Sequence, residues 1–155
     1  MSGPGISEEL ARRFVGKKAD YYITKWTRLR QRQIPMSWNW AAFSLGPIWM
    51  AYRKMLALGY VVVVLQILTA HLASGFGYFL FAVPTMLAFG LFANYYYLII
   101  ADKRITEAET RLESVASVGG TSIKKVGLLF IMCIPFSTVT LDEREYSLLQ
   151  FLFPR

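Results

Sequence analysis

The side chains that could carry out chemistry are few in this sequence of 155 residues, and they are scattered. There is one histidine, His71, and one cysteine, Cys133, and neither stands in a spacing typical of a metal site or an activated nucleophile. No phosphate-binding loop or nucleophile elbow is present, and the acidic residues fall in short groups that alternate with bases, as on solvated helix faces. We therefore expect no enzyme activity, no catalytic or metal-binding residue and no cofactor.

Three polar residues interrupt the long apolar runs: Gln66, His71 and Asn94. At about 1.5 Å per residue from the predicted helix ends, Gln66 lies roughly 15 Å deep and Asn94 roughly 10 Å deep, so the two can meet across a pair of helices. Such a pair usually holds helices together with about 0.6 kcal/mol, and only occasionally contacts a substrate. A histidine without an acidic partner is more often a hydrogen-bonding group at the membrane interface than a proton relay.

The composition predicts an integral membrane protein. Hydrophobic residues make up 55% of the chain and charged residues 17%, against about 25% charged residues in soluble domains. Residues 56–74 and 76–101 carry no charge, and each run reaches the roughly 20 residues that cross a hydrocarbon core of about 30 Å. The short link between them predicts two transmembrane helices in an antiparallel hairpin. A shorter run, residues 126–141, contains Pro135 and spans the membrane or enters it only partway.

The basic residues predict the orientation of these helices. Lysine and arginine are abundant in residues 1–54 and recur in residues 102–125, whereas the link around Gly75 has no charge. The positive-inside rule therefore places the N-terminus and residues 102–125 in the cytoplasm and Gly75 outside. The side on which the tail, residues 142–155, lies depends on whether the third run spans. The net charge of +7 is accounted for by this loop bias, so we expect no nucleic-acid binding.

The N-terminal arm, residues 1–36, predicts a basic amphipathic helix. Ser7 can cap it, and Glu8 and Glu9 suit the positive end of the helix dipole. Apolar residues recur beyond the cap at near-helical spacing: Leu10, Phe14, Tyr21 or Tyr22, Trp26 and Leu29. This apolar face packs on the protein's own cytoplasmic side or lies on anionic lipid, and the first interpretation is favoured.

Residues 37–55 read SWNWAAFSLGPIWMAYRKM, an aromatic run without an acidic residue. Basic residues flank both ends and Gly46-Pro47 breaks the run, so we expect a re-entrant hairpin or an interfacial segment that does not cross the membrane. Structural anchoring is favoured over a functional pocket. The candidate interface or anchor residues are Trp38, Trp40, Trp49, Tyr52, Arg53 and Lys54, together with Phe89 and Phe151 further along the chain.

Residues 102–125 predict a cytoplasmic helix followed by a loop. An apolar stripe marks the helix, and Gly119-Gly120 is expected to end it. The stripe consists of Ile105, Ala108, Leu112 and Val115.

Four stretches together carry a resemblance to a known family: residues 14–26 (FVGKKADYYITKW), 37–55, 93–105 (ANYYYLIIADKRI) and 119–122 (GGTS). The sequence resembles a bacterial family of small inner-membrane proteins that is classed only as a domain of unknown function. The resemblance covers most of the chain but not the part after about residue 135. It implies a multi-pass protein of the bacterial cytoplasmic membrane with a few membrane helices and a cytoplasmic N-terminal arm, and it supplies no catalytic residue.

Two classes of function remain for such a protein. One is an accessory or assembly subunit that binds a larger membrane protein complex through aromatic, lipid-facing surface. The other is a lipid- or small-molecule-handling protein that acts as a homo-oligomer around a polar path. The first is favoured because a transporter normally shows internal repeats or several intramembrane polar sites, and polar residues are sparse here. The expected partners are membrane lipids and that larger complex.

Overall fold

A computed structural model describes residues 6–72 and 76–134, with no side chains described for residues 71–78. Every regular element in these ranges is a helix, which confirms the all-α class for this part of the chain. The helices are α1 Glu8–Val15, α2 Ala19–Arg32, α3 Trp40–Leu45, α4 Pro47–Tyr52, α5 Leu56–Leu72, α6 Phe76–Thr110, α7 Val115–Val118 and α8, residues 123–134.

The N-terminal arm forms two helices instead of the single predicted one. The predicted cap is confirmed, since the Ser7 hydroxyl accepts a hydrogen bond from the Leu10 N–H at 3.3 Å. The chain then breaks at Gly16 and Lys18, whose φ angles of 64° and 67° lie in the left-handed region and cannot continue an α-helix. The apolar faces of α1 and α2 are buried in the protein's own core, as the favoured interpretation expects.

The aromatic run of residues 37–55 also divides at its predicted break. Asn39 caps α3 by accepting a hydrogen bond from the Ala42 N–H at 3.0 Å, and Gly46, with φ 43°, ends that helix. Pro47 then starts α4, where a missing N–H costs nothing because the first helical turn has no intrahelical acceptor for it. Residues 53–55 lead from α4 directly into α5.

Helix α6 has 35 residues and is about 52 Å long at 1.5 Å per residue. Its second half packs against α1, α2, α3 and α7, and Trp49 of α4 contacts Tyr97. We call these five helices, with the segments that lead into them, the helical collar. The residues of α6 buried inside the collar are Ala93, Asn94, Tyr97, Leu98, Ala101, Ile105 and Ala108. Because this apolar face continues past residue 101, the helix does not end where the predicted transmembrane segment ends.

The remaining helical surface is apolar and exposed. Residues 60–70 of α5 and 79–88 of α6 include no buried side chain. Leu65, Phe81 and Val83, for example, are at least half exposed. Two helical segments are long and apolar enough to cross a membrane, Phe79–Thr110 and Val115–Ile134, and Leu56–Ala70 is a shorter apolar helix. The second segment is interrupted at residues 119–122, so its continuous part is α8. The third predicted run continues beyond residue 134, outside the described residues.

The predicted stripe within residues 102–125 is buried at three of its four positions. Ile105, Ala108 and Val115 lie in the core, but Leu112 is 94% exposed. Helix α6 ends at Thr110, and Leu112 has a φ of 55°, so the chain turns before α7 and points this residue away from the stripe. The predicted end at Gly119-Gly120 is wrong for the helix that carries Ile105 and Ala108, since α6 ends at Thr110, and only the short helix α7 stops there, at Val118.

Candidate functional site

Two buried asparagines join the extended residues before α3 to helix α6. Asn39 and Asn94 are 2% and 0% exposed, and Asn39 Nδ2 donates a hydrogen bond to Asn94 Oδ1 at 2.9 Å. Asn94 Nδ2 lies 3.1 Å from Ser37 Oγ and 3.2 Å from Ser37 O, and Trp26 Nε1 donates to the Asn94 carbonyl at 3.1 Å. Buried amides are stable only when bonded in this way, so the network fixes the register of residues 37–39 on α6.

This network replaces the predicted contact between Asn94 and Gln66. Gln66 is half-buried in α5 and lines a cavity of about 160 Å³ between α5 and α6, together with Thr69 and Thr85. In the structure the partners of Asn94 are Asn39 and Ser37, which precede α3. A comparison of the depths of two residues along two membrane helices could not reveal them. The side chain of His71, the third polar residue, is outside the described part.

The close approach of residues 37–39 to α6 requires a glycine. The Asn39 N–H donates to the Gly90 carbonyl at 2.7 Å, and the Ser37 N–H donates to the Leu91 carbonyl at 2.8 Å. A Cβ at Gly90 would lie only 2.8 Å from two ring carbons of Trp38. The absence of a side chain at this position therefore lets the Trp38 ring lie flush on the helix.

Arg53 lies among aromatic rings inside the collar. Its guanidinium carbon is 4.4 Å from the ring centroid of Tyr22 and 5.3 Å from that of Tyr97, and the residue is 4% exposed. The Tyr97 ring also contacts those of Trp26 and Trp49, at centroid distances of 5.3 and 6.0 Å. These four rings form the aromatic cage. A cation over such ring faces gains about 2 kcal/mol when it is desolvated.

The charge of Arg53 is only partly compensated by this cage. Its Nη1 reaches the Val15 carbonyl at 3.5 Å, and its buried Nε has no hydrogen-bond partner. The ion pairs found among the described residues all involve other bases. Buried charges are normally paired, because leaving water costs several kcal/mol per ion. Arg53 is therefore suited to receive an anion.

A cavity of about 470 Å³ adjoins Arg53, and we call it the Arg53 cavity. Its size falls in the range of about 300–1,000 Å³ typical of small-molecule sites. No acidic residue lines it, whereas both basic and aliphatic side chains do. Besides Arg53, these are Lys17 and Lys18, and Leu45, Ile48, Ile123 and Val126.

A second cavity, of about 400 Å³, lies where α6, α7 and the turn before α5 meet. It is lined by Lys54, Arg104, Arg111 and Lys125, but also by Glu107 and Glu113. Arg104 Nη2 donates to the Lys54 carbonyl at 3.1 Å, and Lys54 Nζ donates to the Ser117 carbonyl at 2.8 Å. Partial burial, with repulsion from Lys125 and Arg104, lowers the pKa of the Lys54 amine. The two carboxylates offset part of the positive charge, so this cavity attracts an anion less than the Arg53 cavity does.

The structure separates the predicted anchor residues into two groups. Trp49 and Arg53 are buried in the core, so neither side chain lies on the outer surface of the protein. Phe89 is also packed on the core, beside Gly46.

The other predicted anchors lie nearer the surface. Trp40 is 69% exposed, and Trp38 and Tyr52 are half-buried. Lys54 is half-buried and tied to α7 through Ser117. Phe151 lies outside the described residues.

A family model covers most of the residues that build this site. It matches residues 8–102, from the start of α1 to Asp102 in α6, which is more than half of the sequence. The chain belongs to the family described as "Protein of unknown function (DUF2628)". The DUF2628 region contains the aromatic cage, Arg53 and both asparagines, whereas α7 and α8 follow it. No curated protein and no solved structure matches the chain significantly.

Several residues of the DUF2628 site are missed by the sequence patterns. Asn39 has a recognisable signal, since an asparagine directly before a helical run is a favoured N-cap. Tyr22 and Tyr97 have none, because the distance between them in the sequence hides their common contact with Arg53. Among the described residues, no group of histidine, cysteine and acidic side chains could hold a metal ion.

Proposed function

We propose that this DUF2628 protein is a small integral membrane protein that acts as an accessory or assembly subunit of a larger membrane protein complex. In this proposal α5 and the first half of α6 form an antiparallel transmembrane hairpin, and α8 begins a third membrane segment. The helical collar lies on the cytoplasmic side, where its basic residues satisfy the positive-inside rule.

The observation that carries this proposal is the contrast between the two halves of α6. The second half is enclosed by the collar, but the first half and most of α5 have no buried side chain in the described ranges. Helices in a bilayer associate through close van der Waals contact and interhelical hydrogen bonds, because lipid provides no hydrophobic drive between them. Apolar helices that do not bury one another are therefore available to helices of a partner protein.

A polar transport path finds less support in the geometry. The cavity between α5 and α6 holds about 160 Å³, and its polar side chains are Gln66, Thr69 and Thr85, none of which is charged. Substrate paths in membranes are usually lined by several ionisable or strongly polar groups. The second candidate, lipid or small-molecule handling by a homo-oligomer, is supported by the Arg53 cavity.

Photo-crosslinking in native membranes tests the proposal. Phe81, which is 58% exposed on the apolar half of α6, is replaced by p-benzoylphenylalanine, and the matched control places the same group at Leu112 on the collar. We expect crosslinks to a different membrane protein from position 81 and not from position 112, and a native complex larger than the 17.7 kDa chain in mild detergent. Crosslinks only to a second copy would favour the homo-oligomer, and a free monomer without crosslinks would end the accessory-subunit proposal.

A further inference from the structure

We propose that the Arg53 cavity is a binding site for an anionic phospholipid. The phosphate of the head group lies against Arg53, Lys17 and Lys18, and one acyl chain follows the aliphatic wall formed by α3, α4 and α8. This inference rests on the proposed insertion of α5 and α6 into a membrane, but not on the proposed role as an accessory subunit.

The first argument is the incomplete compensation of the Arg53 charge. The guanidinium is almost fully buried, yet in the described part of the chain it has no carboxylate partner and its Nε has no hydrogen bond. Tyrosine rings favour a cation, but they do not replace a counterion. A phosphate oxygen can pair with the planar guanidinium through charge-assisted hydrogen bonds, which are stronger than bonds between neutral groups.

The second argument is that basic and aliphatic side chains line the same cavity. Three bases and no acid line it, so an anionic group is attracted, whereas Leu45, Ile48 and Val126 provide a surface suited to hydrocarbon. A small soluble anion would use only the basic side chains. A molecule with an anionic head and an apolar chain uses both, and a membrane phospholipid has this chemistry.

The third argument is the position of the cavity in the fold. It lies between the charged collar and the start of α8, the continuous part of a segment apolar enough to cross a membrane. Leu45 is 50% exposed and Ile123 is 79% exposed, so the aliphatic wall is open to the surroundings. Basic pockets between membrane helices on the cytoplasmic side suit anionic head groups, and each cation adds on the order of 1 kcal/mol to the attraction.

Native mass spectrometry of the full chain in detergent tests this site. The protein is titrated with phosphatidylglycerol, with phosphatidylcholine of the same acyl chains, and with inorganic phosphate. The test variant is Lys17→Gln/Lys18→Asn, because both lysines are exposed and asparagine tolerates the left-handed backbone at position 18. The charge-matched control is Arg28→Gln/Arg32→Gln, which changes exposed residues of α2 that do not line the cavity.

We expect the wild type to retain one phosphatidylglycerol in preference to phosphatidylcholine. Losing two cations should weaken its binding about 30-fold in the test variant, with little change in the control. Equal binding of phosphatidylcholine, or equal losses in the two variants, would overturn the specific head-group site. Displacement of the lipid by inorganic phosphate at comparable concentration would show a simple anion site and overturn the lipid assignment. None of these results depends on a partner protein, so they are separable from the crosslinking outcome.

Discussion

Asn39 and Asn94 are 55 positions apart in the sequence and are joined by a hydrogen bond of 2.9 Å in the interior of the protein. Asn39 caps α3 with its side-chain oxygen and reaches α6 with its nitrogen, so one amide positions two elements. Because Asn94 also bonds to Ser37, the extended residues before α3 are held on α6 at two points, Ser37 and Asn39. This contact positions the aromatic run, and with it Trp49 and Arg53, against the α6 side of the core.

A double-mutant cycle on this pair should show strong coupling. Asn94→Ala leaves the buried Asn39 amide without its acceptor, which should cost about 1–3 kcal/mol of unfolding free energy. Asn39→Ala removes the same bond and also the cap of α3, worth about 0.5–2 kcal/mol. The double variant should cost less than the sum, with a coupling of at least about 0.5 kcal/mol, measured by unfolding in detergent followed by circular dichroism.

Gln66→Ala is the matched control for the asparagine cycle. Gln66 also carries a side-chain amide in an apolar helix, but it is half-buried and lines the cavity between α5 and α6 instead of contacting Asn94. Combined with Asn94→Ala, it should be additive within about 0.5 kcal/mol, as distant sites are. Additivity for Asn39 and non-additivity for Gln66 would contradict the network.

Gly90→Ala should destabilise the protein although alanine favours helices. The new Cβ meets the Trp38 ring at 2.8 Å and Phe43 Cβ at 3.2 Å, so the aromatic run must move away from α6. Overpacking of this kind costs about 1–3 kcal/mol, which exceeds the helix gain of about 0.5–1 kcal/mol. A lower unfolding midpoint and altered tryptophan fluorescence are the expected readouts.

Gly127→Ala provides the comparison for Gly90→Ala. Gly127 is an exposed residue of α8, and a Cβ there has no neighbour within 4 Å. The substitution should be neutral or stabilise by up to about 1 kcal/mol, because only helix propensity changes. If both glycine variants lower stability equally, the close approach of Trp38 is not the cause.

The features that could be predicted from the sequence are those set by neighbouring residues. Ser7 before two glutamates predicts the start of α1, and Gly46-Pro47 predicts the break between α3 and α4, because each depends on local backbone chemistry. The apolar spacing of the arm does not predict the break at Gly16, because the spacing continues across it. Here the packing of the apolar faces of α1 and α2 against α6 determines the path of the chain.

The features that could not be predicted arise from contacts between distant residues. Trp49 and Arg53 are residue types that are common in membrane anchors. Both are nevertheless buried, because the collar encloses them together with Tyr22 and Tyr97. Hydropathy does not distinguish an aromatic residue that faces lipid from one that faces a core. It also gives no sign that a buried arginine has aromatic rings as its main neighbours.

The lowered pKa of Lys54 predicts a pH dependence of stability. Between the lowered folded-state pKa and the ordinary value of 10.5, the unfolded chain holds the proton of this amine more tightly than the folded protein does. Stability contributed by this group therefore rises with pH across that window. In thermal unfolding measured from about pH 7 to about pH 10.5, the stability of the wild type should increase relative to that of Lys54→Gln as the pH rises. A constant or shrinking difference would show that neither burial nor the charges of Lys125 and Arg104 disfavour the charged form of Lys54.

The proposed orientation predicts opposite labelling at two positions in intact cells. In a Cys133→Ser background, Leu112→Cys should react with a membrane-impermeant maleimide only after the cells are opened, because residue 112 is exposed on the collar and the collar is proposed to be cytoplasmic. Gly75→Cys should react from outside. Detergent-solubilised protein, which the reagent reaches without a membrane barrier, controls for intrinsic reactivity. If Leu112→Cys is labelled in intact cells and Gly75→Cys only after opening, every membrane segment is inverted, and the basic residues of the collar do not determine the orientation.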